Sequence, residues 1–232
     1  MIVFVAAESR EFSGFLRHLR NRRRLQWPVQ YAISAELNGR KVVLIADGPG
    51  PDLAGHAAEV AGKQALVEAF VSTGFCGALR PGLEQGTIVI ASAIVDEGGK
   101  VIGQTSVPVA RLSAVKEKLL SLNRVLVTPL EKRDAGAIGA GAVEMEAAGV
   151  LEYARKGEIP FHGIRVVTDT VNEGFSIDFN RMRDSDGRFS RSRIIKEACR
   201  DPFKLFPELL QFDRRCRRAA TLLGDFIADC QF

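Results

Sequence analysis

The chain of 232 residues is predicted to be an α/β protein with a largely parallel β-sheet. Three observations lead there. Short apolar, β-branched runs alternate with helix-period segments along the sequence, the pattern of strands joined by crossover helices. Glycine-rich turns follow two of the runs, at Asp47-Gly48-Pro49-Gly50 and at Thr73-Gly74-Phe75-Cys76-Gly77. Composition is that of a chain with a sizeable core, 46% apolar and 26% charged.

Strands are expected at Ile2–Ala7, Val29–Glu36, Lys41–Ala46, Leu66–Thr73, Thr87–Val95, Leu122–Val127 and Phe161–Thr168. Helices are expected at Ser9–Arg20, Asp52–Ala61, Ala114–Leu120, Leu130–Ala135 and Glu146–Lys156. Between the second and third strands, Leu37-Asn38-Gly39-Arg40 is a hairpin turn, because Asn-Gly accepts positive φ. One antiparallel pair makes the sheet mixed. Beyond Phe175 the character changes: Asp184-Ser185-Asp186-Gly187 is a loop, and helical spacing runs to the end through Leu205, Leu209, Phe212, Cys216, Ala219, Ala220, Leu223 and Ile227. No linker or internal repeat divides the chain. It is treated as one domain, 1–232, with 176–232 a helical C-terminal extension.

The net charge of +4 is mildly basic and does not mark a dedicated nucleic-acid binder. Its basic runs, Arg20 with Arg22–Arg24 and Arg214, Arg215, Arg217 and Arg218, read first as solvated helical faces and second as surfaces for an anionic partner. The four cysteines (Cys76, Cys199, Cys216, Cys230) form no C-x-x-C pair, and His18, His56 and His162 are scattered. Neither a structural metal nor a disulfide framework is expected, which suits a reducing cytoplasm. The opening apolar run is too short for a signal peptide, and no stretch approaches the ~18 apolar residues of a membrane span.

Two segments carry chemistry. In Val143-Glu144-Met145-Glu146-Ala147-Ala148-Gly149-Val150, two acids flank a methionine ahead of an apolar helix. Alone, this is equally a helix N-terminal acid beside a core methionine. In Phe161–Asp169 an apolar strand ends on Asp169, at the sheet edge where α/β ligands bind. A carboxyl there is a candidate general acid, or a plain strand-end turn residue.

Together the two segments resemble the nucleoside phosphorylase and nucleosidase family, whose signature is V-E-M-E followed by a strand ending in [ST]-D. Thr73-Gly74-Phe75-Cys76-Gly77-Ala78-Leu79 is similar to that family's T-G-x-x-G-x-L segment, and Gly86-Thr87-Ile88-Val89-Ile90 to the strand after it. The resemblance spans residues 1–172. It implies a three-layer αβα sandwich and cleavage of the bond between a sugar and a purine, with adenine the expected base. It implies that Asp169 donates to the purine N7, that Glu146 grips the ribose 2′- and 3′-hydroxyls, and that Met145, with Glu144 as neighbour, packs under the sugar. Phe75, Cys76, Gly77 and Thr168 are implied to line the same site. An N-terminal-loop glutamate orients the attacking water in the nucleosidase branch. Glu11 falls at that position, with Glu8 close by as the other choice. Val125 and Leu126, ahead of Thr128 and the Glu131-Lys132 pair, match a strand whose backbone meets the purine edge.

Two departures bear on the nucleophile. Phosphorylases of the family place an arginine and a hydroxyl around the glycines to hold phosphate; here those positions are Ser72 and Phe75. Loss of a bidentate guanidinium favours water, although Arg10 or Arg17 can supply charge from elsewhere, and phosphate stays open as a co-substrate. Asp169-Thr170-Val171-Asn172 also replaces the common D-x-A-[DG] after the aspartate. No other cofactor is implied.

The C-terminal part, with Asp186-Gly187-Arg188, Arg200-x-Pro202 and Leu209-Leu210, is similar to hopanoid-associated phosphorylases. That likeness implies an adenosyl-lipid as substrate, and the Arg214–Arg218 helix as a peripheral membrane contact. The family also implies a homodimer or higher homo-oligomer. A non-catalytic nucleoside-binding protein is the rival class, disfavoured because Asp169 and Glu146 are both retained. A dinucleotide-binding enzyme is disfavoured because Gly48-x-Gly50 lacks the third glycine.

Overall fold

The computed structural model describes residues 1–232. Ten strands form one sheet: β1 (Ile2–Ala6), β2 (Arg20–Arg24), β3 (Tyr31–Leu37), β4 (Arg40–Ala46), β5 (Ala69–Ala78), β6 (Ile88–Val95), β7 (Val101–Gln104), β8 (Val115–Ser121), β9 (Ala142–Glu144) and β10 (Phe161–Asp169). Five helices accompany it: α1 (Pro51–Gln64), α2 (Pro129–Gly136), α3 (Ala147–Lys156), α4 (Arg191–Ala198) and α5 (Pro202–Asp229).

The sheet runs β10-β6-β8-β9-β5-β1-β4-β3-β2, with β7 on β6. Because β10 also pairs with β5, the strands β5, β9, β8, β6 and β10 close on themselves, while β1, β4, β3 and β2 extend as an open sheet. Five pairings are parallel (β1–β4, β1–β5, β5–β10, β6–β8, β8–β9) and five antiparallel. The sheet is mixed, as the hairpin predicted: β3 and β4 turn over Asn38 and Gly39, at φ +49° and +81°.

Strand alternation sorts the core into two layers. Val3 and Val5 of β1 pack with the alanine-rich faces of α1 and α3, whereas Ile2, Phe4 and Ala6 face Phe12, Phe15 and the C-terminal half of α5. The outcome is helix, sheet, helix. α5 reaches its layer through Ala219, Ala220, Leu223, Phe226 and Ile227, all buried.

Four sequence expectations fail here. Ala114–Leu120 is not a helix; Val115–Ser121 is β8, held between β6 and β9, and that pairing overrides the helix preference of its lysine, glutamate and leucine residues. Leu122–Val127 is not a strand but irregular chain leading into α2. Ser9–Arg20 is two single 3-10 turns, Ser9–Phe12 and Phe15–His18, and the arginine run that follows is the exposed edge strand β2 rather than a helical face. Thr73–Gly77 is not a turn after a strand, because β5 runs straight through it. β7 and β9 are strands that the sequence pattern did not announce.

Candidate active site

The carboxyl ends of β1, β5, β9 and β10 converge on one cavity of about 340 Å³, the edge of an α/β sheet where ligands bind. Glu11, Phe75, Cys76, Gly77, Val125, Leu126, Glu144, Met145, Glu146, Thr168 and Asp169 line it, whereas Ser72, Thr128 and Glu131 do not.

Glu11 sits in the 3-10 turn after β1, with Oε2 accepting from the backbone N–H of Ala7 at 3.0 Å and of Glu8 at 3.4 Å. Burial, with Glu8 adding to it, pushes its carboxyl up to about 7. Glu8 also lines the cavity but is bound to Arg10 Nε at 2.7 Å and is part-exposed. The two candidates are thus unequal: one carboxylate is buried and the other belongs to an ion pair at the rim.

Glu144 and Glu146 are set apart by a third residue. Glu144 ends β9, and its Oε2 accepts from the N–H groups of Glu146 (2.9 Å) and Ala147 (2.8 Å), tying down the start of α3. Arg165, in the middle of β10 and fully buried, donates Nη2 to the same Oε2 and to Ser72 Oγ at 2.9 Å, and lies 3.8 Å from Glu146 Oε2. Glu144 is thereby a structural anchor. Glu146 keeps a lighter set of partners, with Oε1 accepting from Gly50 N–H at 3.2 Å. Burial and the neighbouring Glu144 push it up to about 8, against the pull of Arg165. Burial alone would lower Arg165, but Glu144 and Glu146 outweigh it and hold the guanidinium charged.

Asp169 closes β10 opposite Gly77 of β5. Thr168 Oγ1 donates to its Oδ1 at 2.7 Å, and the buried Lys132 of α2 donates Nζ to its Oδ2. Cys76 is a buried thiol pushed up by desolvation, and its carbonyl accepts from Thr168 Oγ1 at 3.3 Å. Val125 lines the cavity with its backbone tied to the C-terminal segment. Its N–H donates to Asn180 Oδ1 at 2.8 Å and its C=O accepts from Asn180 Nδ2 at 2.9 Å, leaving the carbonyl's second lone pair.

The far wall comes from the C-terminal segment. Phe175, Phe179, Phe189, Ile194, Leu209 and Phe212 make it apolar, with Phe175 and Phe212 in edge contact at 5.4 Å. Neither this wall nor Arg165 has a role in the sequence-based expectations. A buried arginine inside an apolar strand was the available signal for Arg165, and three phenylalanines flanking a change of pattern were the signal for the wall. No three His, Cys, Asp or Glu side chains are grouped so as to hold a metal ion.

A three-layer α/β fold with carboxylates gathered at the strand ends around a half-apolar cavity defines a class of protein before any comparison is made. A family model described as the phosphorylase superfamily matches residues 2–122, and the chain belongs to that superfamily. It is similar to the 5′-methylthioadenosine/S-adenosylhomocysteine nucleosidases of Shewanella pealeana (25% identical over 197 residues, 70% of this chain and 83% of the relative) and Listeria monocytogenes (24% over 192 residues, 69% and 82%). Among solved structures, it shares its fold with the nucleosidase of Neisseria meningitidis in complex with methylthio-immucillin-A, at TM-score 0.72 and 20% identity over 98% of this chain and 96% of that one. The nucleosidase of Colwellia psychrerythraea, in complex with adenine, matches at TM-score 0.72 and 18% identity over 98% and 93%.

Proposed function

We propose that this chain hydrolyses the N-glycosidic bond of a purine nucleoside and releases adenine. The observation that carries this is the meeting of Glu11, Glu146 and Asp169 in one cavity. Breaking the bond builds positive, oxocarbenium-like charge on the ribose. Glu146 takes the 2′- and 3′-hydroxyls, Met145 packs beneath the sugar, Glu11 draws the proton from water attacking C1′, and Asp169 meets the departing base at N7. The names of the relatives support adenine as the base. Water is favoured over phosphate because Arg165 is fully buried, paired with Glu144 and Ser72 and absent from the cavity lining, while Arg10, which does line the cavity, is paired with Glu8. No other cofactor enters the reaction.

The test is a product assay with methylthioadenosine, S-adenosylhomocysteine, adenosine and inosine, each with and without phosphate. Adenine formed without phosphate is expected. A strict phosphate requirement would replace water by phosphate, and no base from any of the four, with adenine still bound, would leave a non-catalytic nucleoside-binding protein.

A second reading, an adenosyl-lipid substrate, is favoured by the apolar phenylalanine wall of the same cavity. With it goes a peripheral membrane contact, supported by Phe203 and Leu210, which are 95% and 60% exposed on α5, ahead of the exposed Arg214, Arg217 and Arg218. The absence of salt-sensitive co-sedimentation with anionic vesicles would remove it. A homo-oligomer in the cytoplasm completes the proposal. Val107, Val109 and Leu112 are exposed apolar side chains suited to a contact between copies, and a monomer in sedimentation velocity would contradict it. No helix is long and apolar enough to cross a membrane.

A further inference from the structure

Lys132 is unusual among the chain's lysines in being buried, 1% exposed at the cavity wall. Its ammonium has three N–H donors, and three oxygens receive them: Asp169 Oδ2, Thr170 O at 2.9 Å and Glu173 O at 2.7 Å. None remains for a ligand, so Lys132 acts on a bound nucleoside only through Asp169. Asp169 accepts at Oδ1 from Thr168 and at Oδ2 from Lys132, and each oxygen keeps a lone pair for a bound base. A protonated Asp169 beside that ammonium would leave a buried cation without a counter-charge, a costly arrangement. At rest the pair therefore consists of a carboxylate and an ammonium, and the transferable proton sits on nitrogen.

We propose that Lys132 and Asp169 together form the acid for the leaving base, with Lys132 as its proton source and positioning residue. This rests on the nucleosidase reading. The C1′–N9 bond breaks and its electron pair passes to the base. N7 takes a proton at Asp169 as Asp169 takes one from Lys132 Nζ, so the carboxylate is restored and Lys132 becomes an amine. Water adds to C1′ and gives its proton to Glu11, and that surplus proton returns through solvent to Lys132. The two carbonyls fit both states of the nitrogen: an amine has two N–H groups, and Thr170 O and Glu173 O accept both.

The experiment measures kcat and KM for methylthioadenosine, together with thermal midpoints, for wild type, Lys132→Met, Lys132→Arg, Asp169→Asn and the Lys132→Met/Asp169→Asn double variant. Loss of general-acid assistance predicts kcat lower by about 100-fold in Lys132→Met with KM nearly unchanged. Arginine keeps the charge but does not surrender a proton, so Lys132→Arg stays as slow. The double variant, with no unpaired carboxylate to destabilise it, is no slower than Asp169→Asn. Recovery by Lys132→Arg to within about threefold of wild type would reduce Lys132 to a structural charge. Losses that multiply in the double variant would overturn the coupling, and that comparison stands even where Lys132→Met does not fold. A wild type that releases no base from any nucleoside overturns the nucleosidase reading instead.

Discussion

Gly74 and Glu11 occupy space that a larger residue would deny: a β-carbon built on Gly74 would stand 2.8 Å from Glu11 Oε2. The glycine also holds φ +138°, a conformation that L side chains rarely adopt. Its place inside β5 is thus explained by the carboxylate that comes from the turn after β1. Gly74→Ala is expected to lower stability by about 1–3 kcal/mol from backbone strain and to displace Glu11. Urea denaturation together with kcat for adenine release checks both. A variant with wild-type stability and rate would mean that the Glu11 position is not set by β5.

The two raised carboxyls give a pH dependence with a definite sign. Glu11 and Glu146 are pushed up to about 7 and about 8 from an ordinary 4.5. Between roughly pH 4.5 and 8 the folded chain therefore holds protons that the unfolded chain has released, and stability falls as pH rises. Glu146→Gln should flatten the decline in thermal midpoint across that window. Catalysis runs the other way: Glu11 accepts a proton only when ionised, so kcat/KM should climb through about pH 7. An activity already flat from pH 5 upward would sink the base role of Glu11.

Arg165 makes the third case. Fully buried, it binds Glu144 and Ser72 and lies near Glu146. Arg165→Met leaves Glu144 buried without its counter-charge, a loss of about 3–5 kcal/mol, and frees the start of α3 on which Glu146 rides. Chemical denaturation is expected to show that loss, and Glu144→Gln in the same background should recover part of it. Additive losses from the two changes would mean that the pair is not coupled.

The reason one part of this molecule was readable and another was not lies in which interactions are local. The β3–β4 hairpin was legible because Asn38-Gly39 states its own backbone requirement, and Asp169 because an apolar strand ends on a charge. β8 was misread because Lys116, Glu117 and Lys118 favour a helix in isolation, and only β6 and β9, distant in sequence, make a strand of them. Thr73–Gly77 has the composition of a turn, because glycine is common where a chain reverses. Gly74 and Gly77 instead give room to carboxylates: a β-carbon built on Gly77 would stand 2.8 Å from Asp169 Oδ2. Lys132 is visible in the sequence only as half of the Glu131-Lys132 pair, and Arg165 only as a charge inside an apolar strand, because the partners that neutralise each cation stand on other strands and loops.

The phenylalanine wall provides a prediction about substrate choice. Phe212 lies 5.4 Å from Phe175 and 5.8 Å from Phe179, centroid to centroid, on the side of the cavity built by the C-terminal segment. In the proposed pose Asp169 takes the base and Glu146 the ribose; Phe175 lies over the Lys132 ammonium at 5.5 Å, beside Asp169, and Phe212, in edge contact with that ring, is assigned to the 5′ substituent. Phe212→Ala removes apolar surface without touching a carboxylate. The expected result is a KM raised about tenfold for a nucleoside with an apolar 5′ group, which corresponds to ~1.4 kcal/mol of lost burial. KM for adenosine and the affinity for free adenine should stay within about twofold, because neither reaches the wall. Steady-state kinetics on methylthioadenosine and adenosine, with adenine inhibition measured alongside, separates the cases. An equal rise for all three would show that Phe212 supports the whole cavity, and no rise for any would place the 5′ group elsewhere.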